Sequence, residues 1–195
     1  MAGTEYHATS AALREKPGLA MKGFLAVAIV IGYEWFISGL VKFVRGDFPS
    51  GLAEELLKKS PEMAAWYGRF ITSAVIPHGV LAGYAIEIAE LLAGIALIGG
   101  PLVWLLAWDR LSDRVRSLVL LAMAVAAIGG TFLAINLHLA NAGRHPWLLP
   151  LDPNDEGIDL DSVLPALQVV IASVTIIVFR RLRDPRLDTA SPRRA

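Results

Sequence analysis

Long apolar runs separated by short polar segments dominate the chain. Four of these runs predict helices, over roughly residues 19–44, 71–98, 117–139 and 163–179. A helix needs about 20 mostly apolar residues to cross the hydrocarbon core of a bilayer. Irregular backbone facing lipid is excluded because its polar groups would lack hydrogen-bond partners. The pattern therefore predicts an all-α integral membrane protein, a four-helix bundle that occupies residues 19–180.

The segment between the first two predicted spans contains a further helical pattern. Leucines at 52, 56 and 57 are interleaved with charged residues at 54, 55, 58 and 59, which predicts a short amphipathic helix lying at the membrane interface. Ser60 and Pro61 mark its end, since proline disrupts the interior of a helix. For the same reason we expect Pro77 to bend the start of the second span.

The distribution of basic residues predicts the orientation of the spans. Twelve of the eighteen Lys and Arg residues fall in the N-terminal region, in the link between spans two and three, or in the C-terminal region. By the positive-inside rule this places both termini in the cytoplasm, with the protein in the cell (inner) membrane. Residues 1–18 then form a flexible cytoplasmic tail, and residues 181–195 form an Arg-rich one.

Composition removes several classes of function. The formal net charge is zero, so nothing favours a nucleic-acid partner, and the lipid bilayer is the partner that the apolar runs imply. The chain has no cysteine, which excludes disulfides, a cysteine nucleophile and iron–sulfur ligation. Any chemistry must therefore come from polar residues within the spans.

One face of the second span concentrates such residues. Gly79, Gly83, Glu87, Glu90 and Gly94 fall within an arc of about 80° at 100° per residue. Small residues allow a neighbouring helix to approach closely, and the carboxyl groups then project into that contact. Ionisable groups inside a membrane are costly and usually functional, so Glu87 and Glu90 are candidate catalytic residues.

The other spans add weaker candidates. Glu34 is a third candidate catalytic carboxyl group, and it shares a broad face with Ser38 and Lys42 at intervals of four residues. Most polar residues fall in the predicted outer half, which predicts a polar cavity that opens outward. The candidate substrate-binding residues are Lys42, His78, Tyr84, Asn136 and His138.

Each of these residues also has a purely structural interpretation. Asn136 and Ser38 are suited to hydrogen bonds between helices, the two histidines to contact with headgroups or water, and Lys42 to snorkelling toward the interface. The spacing of Glu87, Glu90 and His138 does not establish a metal site, and we predict none.

Three short motifs resemble the DoxX/DoxD family of four-helix membrane proteins. The second span reads YAIEIAELLAGIALIG over residues 84–99, the first ends in SGLVKF over 38–43, and the third ends in NLHLANAG over 136–143. These stretches are similar to that family's glutamate–glycine and glycine–lysine patterns. Lys42 and Glu90 match best, and Glu87 and Asn136 follow.

The resemblance implies a function in membrane redox chemistry. The best-known members are membrane subunits of thiosulfate:quinone oxidoreductase, so the chain would help to pass electrons from a sulfur-oxyanion donor to quinone. It would work with a soluble redox partner or a second membrane subunit, and the glycine-rich faces would also suit a homodimer. Two alternatives stay open, a non-catalytic membrane scaffold that anchors soluble redox partners and a small transporter.

Overall fold

The computed structural model describes residues 17–141 and 160–184, and this part of the chain is almost entirely helical. We number its α-helices in chain order. They are α1 (Leu19–Arg45), α2 (Phe48–Lys59), α3 (Ala65–Phe70), α4 (Gly79–Ala107), α5 (Asp113–Asn141) and α6 (Leu160–Arg183).

Four helical segments are long and apolar enough to cross a membrane, which confirms the predicted multi-pass architecture. These segments are Leu19–Arg45, Ala65–Arg110, Asp113–Asn141 and Val163–Arg183. The short helix predicted between the first and second spans is also confirmed, since α2 ends at Lys59, directly before Ser60. Most of the two terminal regions and of the link between α5 and α6 lies outside the described residues.

The second span is longer than predicted and is irregular near its beginning. A π-helical turn over Ile71–Val75 and a 3-10 turn over Ile76–His78 join α3 to α4. Pro77 lacks an N–H and crowds the preceding turn, so regular α-helical bonding is interrupted there. Pro101 removes one backbone hydrogen bond but does not end α4. It is buried, and packing against its surroundings stabilises the helix at this point.

Glycines set the packing of α1 against α4. A β-carbon added at Gly94 would lie 2.5 Å from the backbone of Phe36, and one at Gly32 would lie 2.8 Å from the backbone of Leu97. Gly39 is similarly close to Leu91. Because the numbering rises along one helix as it falls along the other, α1 and α4 are antiparallel and nearly in backbone contact.

A second helix pair, α5 with α6, completes the bundle, and α4 also contacts α5. The central core is shared by all four long helices. Its buried members are Ala28, Ile31, Trp35, Ala93, Leu97, Ala126, Ala127, Ala134, Leu164, Ile171 and Ala172. These side chains are mostly small, which allows the helices to pack closely.

The two ends of the bundle differ, and we name them the Lys42 end and the Arg116 end after the charged residues found there. Helix α2 packs across the Lys42 end, where Pro49 contacts Gly83 and Ala53 contacts Gly79. The Arg116 end is filled by a cluster of large side chains. This cluster is Leu25, Trp104, Trp108, Leu120, Met123 and Val178.

Candidate functional site

An ion pair between α1 and α4 is the centre of the candidate site. The Lys42 ammonium group donates to both carboxylate oxygens of Glu90, with Nζ 2.5 Å from each. The Glu90 side chain is completely buried, and that of Lys42 is 21% exposed. Gly39, one turn before Lys42, has no side chain and lets α1 approach Glu90. The pair therefore depends on the close glycine packing of the two helices.

The Lys42 ammonium group has two further contacts. It donates a third hydrogen bond to Ser38 Oγ at 3.0 Å, and it lies 5.0 Å from the centre of the Phe48 ring at the start of α2. The three N–H groups of the lysine thus have three acceptors, and an aromatic ring lies beside the charge. Helix α2 covers the pair on the side where α1 ends.

Glu87 lies one turn from Glu90 on the same buried face of α4, toward the end that α2 covers. Its side chain is only 3% exposed, and its Oε2 has no hydrogen-bond partner among the described residues. Gly83, one turn further, contacts Pro49 of α2. A buried carboxyl oxygen without a partner is costly, so this atom is suited to a ligand, a water molecule or a proton.

Two other buried polar side chains lack partners in the described residues. Gln168 of α6 is completely buried, with neither its amide nitrogen nor its oxygen bonded, and its amide packs on Gly130 of α5. The indole Nε1 of Trp35 on α1 is also buried and unbonded. Trp35 belongs to the central core, and Gln168 lies between its members Leu164 and Ile171 on α6. Buried polar atoms without partners are therefore found both on the buried face of α4 and in the central core.

Three predicted site residues lie on the exposed surface instead. Glu34 is exposed on α1, on a different face from the buried Gly39, and Tyr84 is 53% exposed on α4. His78 is exposed in the 3-10 turn before α4. The regular spacing of Glu34, Ser38 and Lys42 predicted one shared face, but each step of four residues turns the helix by 40°. Lys42 therefore reaches Glu90 of α4 and also bonds to Ser38 within α1, whereas Glu34 is exposed.

The remaining predicted residues lie near the end of α5. The Tyr67 hydroxyl of α3 lies 3.1 Å from both the carbonyl oxygen and the side-chain Oδ1 of Asn136, whose amide nitrogen donates to the Phe132 carbonyl. Asn136 thus connects α3 to α5. His138 is partly buried two residues further along.

A buried charge, Arg116, lies where the sequence predicts the link between the second and third spans. The structure begins α5 at Asp113 rather than near 117, so Arg116 lies in its first turn and is 4% exposed. Its guanidinium group donates to the carbonyl oxygen of Trp108 at 3.0 Å and to Asp113 Oδ1 at 3.0 Å. Arg116 therefore forms an ion pair in the first turn of α5, at the opposite end of the bundle from Lys42. Asp113 and Arg116 are three residues apart, a spacing that suits an ion pair on one helix and that is visible in the sequence.

The described residues contain no group of three or more His, Asp or Glu side chains placed to hold a metal ion. The chemistry of this site consists instead of one ammonium group, two buried carboxyl groups and an aromatic ring. Such a set can bind an anion or a carbonyl oxygen and can exchange protons.

Comparison with protein-family models, with curated proteins and with solved structures finds no match for this chain.

Proposed function

We propose that this multi-pass membrane protein is a redox subunit of the DoxX/DoxD type, which helps to pass electrons from a sulfur-oxyanion donor to quinone. The observation that carries the proposal is the juxtaposition of Lys42 with Glu90 beside the unpartnered Glu87 oxygen. Lys42 and Glu90 are the residues that best match the family's motifs. Their contact across two spans supports a shared role.

Quinone fits the donor set of this site. A quinone carbonyl oxygen accepts hydrogen bonds, and Lys42 is the donor at the site whose side chain is partly exposed. Of its three hydrogen bonds, the one to Ser38 is the only one with a neutral acceptor and, at 3.0 Å, the longest. A ligand oxygen that replaced Ser38 would therefore leave the ion pair with Glu90 intact. The Phe48 ring offers an apolar surface beside it.

Glu87 has the role of proton donor in this proposal. Conversion of a quinone to a quinol takes up electrons and protons in equal number, and the protons must reach a site within the membrane. The electrons come from the donor, as when two thiosulfate ions join through a new sulfur–sulfur bond to give tetrathionate. Glu87 Oε2 has no competing partner among the described residues, so it can hold and release a proton.

The proposal includes an orientation and a partner. With both termini in the cytoplasm of a cell (inner) membrane, as the basic residues favour, the Lys42 end faces outward and would meet a donor there. Electron transfer from that donor requires a soluble redox partner or a second membrane subunit that carries the redox centre.

A second candidate function is a non-catalytic membrane scaffold for soluble redox partners. The observation that favours it is the complete pairing of Lys42, whose three N–H groups are all engaged within the chain. In this interpretation the Lys42–Glu90 pair only holds α1 against α4. Substitution of Glu90 would then lower stability and leave any electron transfer by the assembled complex unchanged in rate per folded molecule.

Gentle purification from native membranes, followed by mass spectrometry and an absorbance spectrum, tests the proposal. We expect quinone in stoichiometric amount and a co-purifying oxidoreductase subunit with a visible redox chromophore. A colourless preparation that contains lipid but neither quinone nor partner would overturn the redox function. A soluble partner without any bound quinone would favour the scaffold.

A further inference from the structure

Helix α1 presents a straight stripe of exposed residues on the side that α4 does not cover. Consecutive members are four and three residues apart in alternation, which is the spacing of the a and d positions of a heptad repeat. The stripe consists of Gly23, Val27, Val30, Glu34, Ile37 and Val41, all of them exposed. We call it the Glu34 stripe. The stripe ends at Val41, one residue before Lys42. Lys42 contacts Glu90 of α4, whereas the stripe faces outward from the bundle.

Glu34 is out of place on such a surface. It lies two residues from the middle of the Leu19–Arg45 span, or about 3 Å along the axis at 1.5 Å per residue. No described residue forms an ion pair or a hydrogen bond with its side chain. A carboxyl group that faces hydrocarbon is costly, and such groups are normally found against another protein surface or a cavity.

The exposed surfaces of the neighbouring helices show the contrast. On α4 the large exposed residues within the span include Ile88, Leu92 and Ile95, and on α5 they include Val125 and Ile128. Their spacing resembles that of the Glu34 stripe, since any straight helix facing lipid shows it. Within the described residues, the middle of these two surfaces carries no exposed acidic or basic side chain. The stripe on α1 is therefore the surface that requires a polar partner.

We propose that the Glu34 stripe is the interface of a parallel homodimer, in which α1 packs against α1 of a second copy about a two-fold axis along the membrane normal. Copies of one chain insert in the same orientation, so a second copy always places its own Glu34 at the same depth. Position a faces position a in a parallel pair, and the two carboxyl groups meet. They form a hydrogen bond when one of them holds a proton. This inference does not depend on the proposed redox function.

The residues around Glu34 suit this packing. Val27 and Val41 occupy the other a positions, so each would pack against the same residue of the second copy, one on either side of Glu34. Among the described residues outside the local helix backbone, none comes within 4 Å of a β-carbon added at Gly23, so a partner helix can approach there. A single polar residue at an a position fixes the register of a pair, which is the part that Glu34 plays here.

Cysteine cross-linking of the full-length protein in lipid nanodiscs tests the interface, because the chain has no cysteine of its own. Val30→Cys and Ile37→Cys place a thiol in the stripe on either side of Glu34. Leu92→Cys on α4 and Val125→Cys on α5 are matched controls at exposed, lipid-facing positions. With a mild oxidant we expect the stripe variants to give covalent dimers at least ten times more abundant than the controls.

Substitution of Glu34 provides a second test of the interface. Glu34→Leu in the Val30→Cys background should lower the cross-linked fraction about tenfold, which corresponds to about 1.4 kcal/mol. Glu34→Gln should retain most of it, because a pair of amides also forms hydrogen bonds. Equal cross-linking of stripe and control variants, or no dimer from either stripe variant, would overturn the proposal. An adduct to a different membrane protein in native membranes, in place of the homodimer, would overturn it as well.

Discussion

The two ends of the bundle each hold a basic side chain in an ion pair, but the surroundings of the two pairs differ. At the Arg116 end, the guanidinium group bonds to a carboxylate and to the Trp108 carbonyl, and the stacked rings of Trp104 and Trp108 lie beside it. At the Lys42 end, the ammonium group is equally well paired, yet a carboxyl oxygen of Glu87 one turn from Glu90 has no partner in the described residues.

In the proposed function this difference distinguishes a structural group, Arg116, from a group that takes part in proton transfer, Glu87. Arg116 closes the beginning of α5 with hydrogen bonds made inside one short segment, and the described residues of that segment hold no buried side-chain atom without a partner. Glu87 is buried at a cost that the described residues do not offset, which is typical of sites that bind or transfer a group. The Lys42–Glu90 pair lies between these cases, since it both joins two spans and adjoins the unpaired oxygen.

The largest effect is expected from removing one partner of the Lys42–Glu90 pair. Lys42→Met leaves the Glu90 carboxylate buried without a counter-charge, which should lower the free energy of unfolding by about 3–5 kcal/mol. The double variant Lys42→Met/Glu90→Leu should recover most of this loss. Unfolding in mixed micelles with increasing SDS measures both. A double variant as unstable as the single one would show that the pair does not act as a unit.

Widening the helix contact that supports the pair should have the next largest effect. In Gly94→Ala the added methyl group meets the Phe36 backbone at 2.5 Å, so we expect a loss of about 1–3 kcal/mol. Gly99→Ala in the same helix is the matched control, since among the described residues no atom outside the local helix backbone lies within 4 Å of a β-carbon added there. The same SDS titration compares them. Equal stability of the two variants would argue against close α1–α4 packing as the basis of the site.

Arg116→Met tests the structural character of the other end. Loss of its hydrogen bonds should cost about 2 kcal/mol, because hydrogen bonds to charged groups contribute about 1.5–3 kcal/mol. Quinone content and quinone reduction should stay at the wild-type level per folded molecule. A fall in either one, with the fold intact, would mean that the two ends are not distinct in function.

The smallest effect should come from the exposed pair of Glu54 and Lys58 on α2. The hydrogen bond from Lys58, together with its charge, lowers the pKa of Glu54. The pair therefore contributes stability above the unfolded-state pKa of Glu54, and this contribution is lost as the pH falls through the lower folded-state value. Because both groups are exposed, we expect Lys58→Gln to leave the SDS unfolding midpoint at neutral pH unchanged within error. A clear shift would show that α2 is held by charge rather than by packing.

The four spans were predictable because lipid imposes length and apolarity on each segment separately. The short helix α2 was predictable from its own alternation of leucines and charges. The residues at which the spans begin and end were less predictable from the sequence. Pro101 suggests an end to α4, but tertiary packing carries the helix to Ala107. Ser112, whose carbonyl accepts from the Arg116 N–H, begins α5 earlier than hydropathy indicates.

The candidate site was predictable only in part. The buried face of α4 followed from the spacing of its glycines and glutamates within one helix. The contact of Lys42 with Glu90 joins residues 48 positions apart, and its geometry depends on how two helices rotate against each other. The unpaired side chain of Gln168 depends on three-dimensional packing against Gly130, which sequence periodicity does not reveal.

In the proposed function the unpartnered Glu87 oxygen belongs to a proton-transferring site, whereas each guanidinium nitrogen of Arg116 has a hydrogen-bond partner. This role of Glu87 is tested most directly by the rate of donor-dependent quinol formation in native membranes that contain Glu87→Gln. The amide preserves size and hydrogen bonding but cannot donate a proton as an acid does. We predict a fall of about 100-fold with an unchanged SDS unfolding midpoint. An unchanged rate in folded, fully assembled protein would contradict the account.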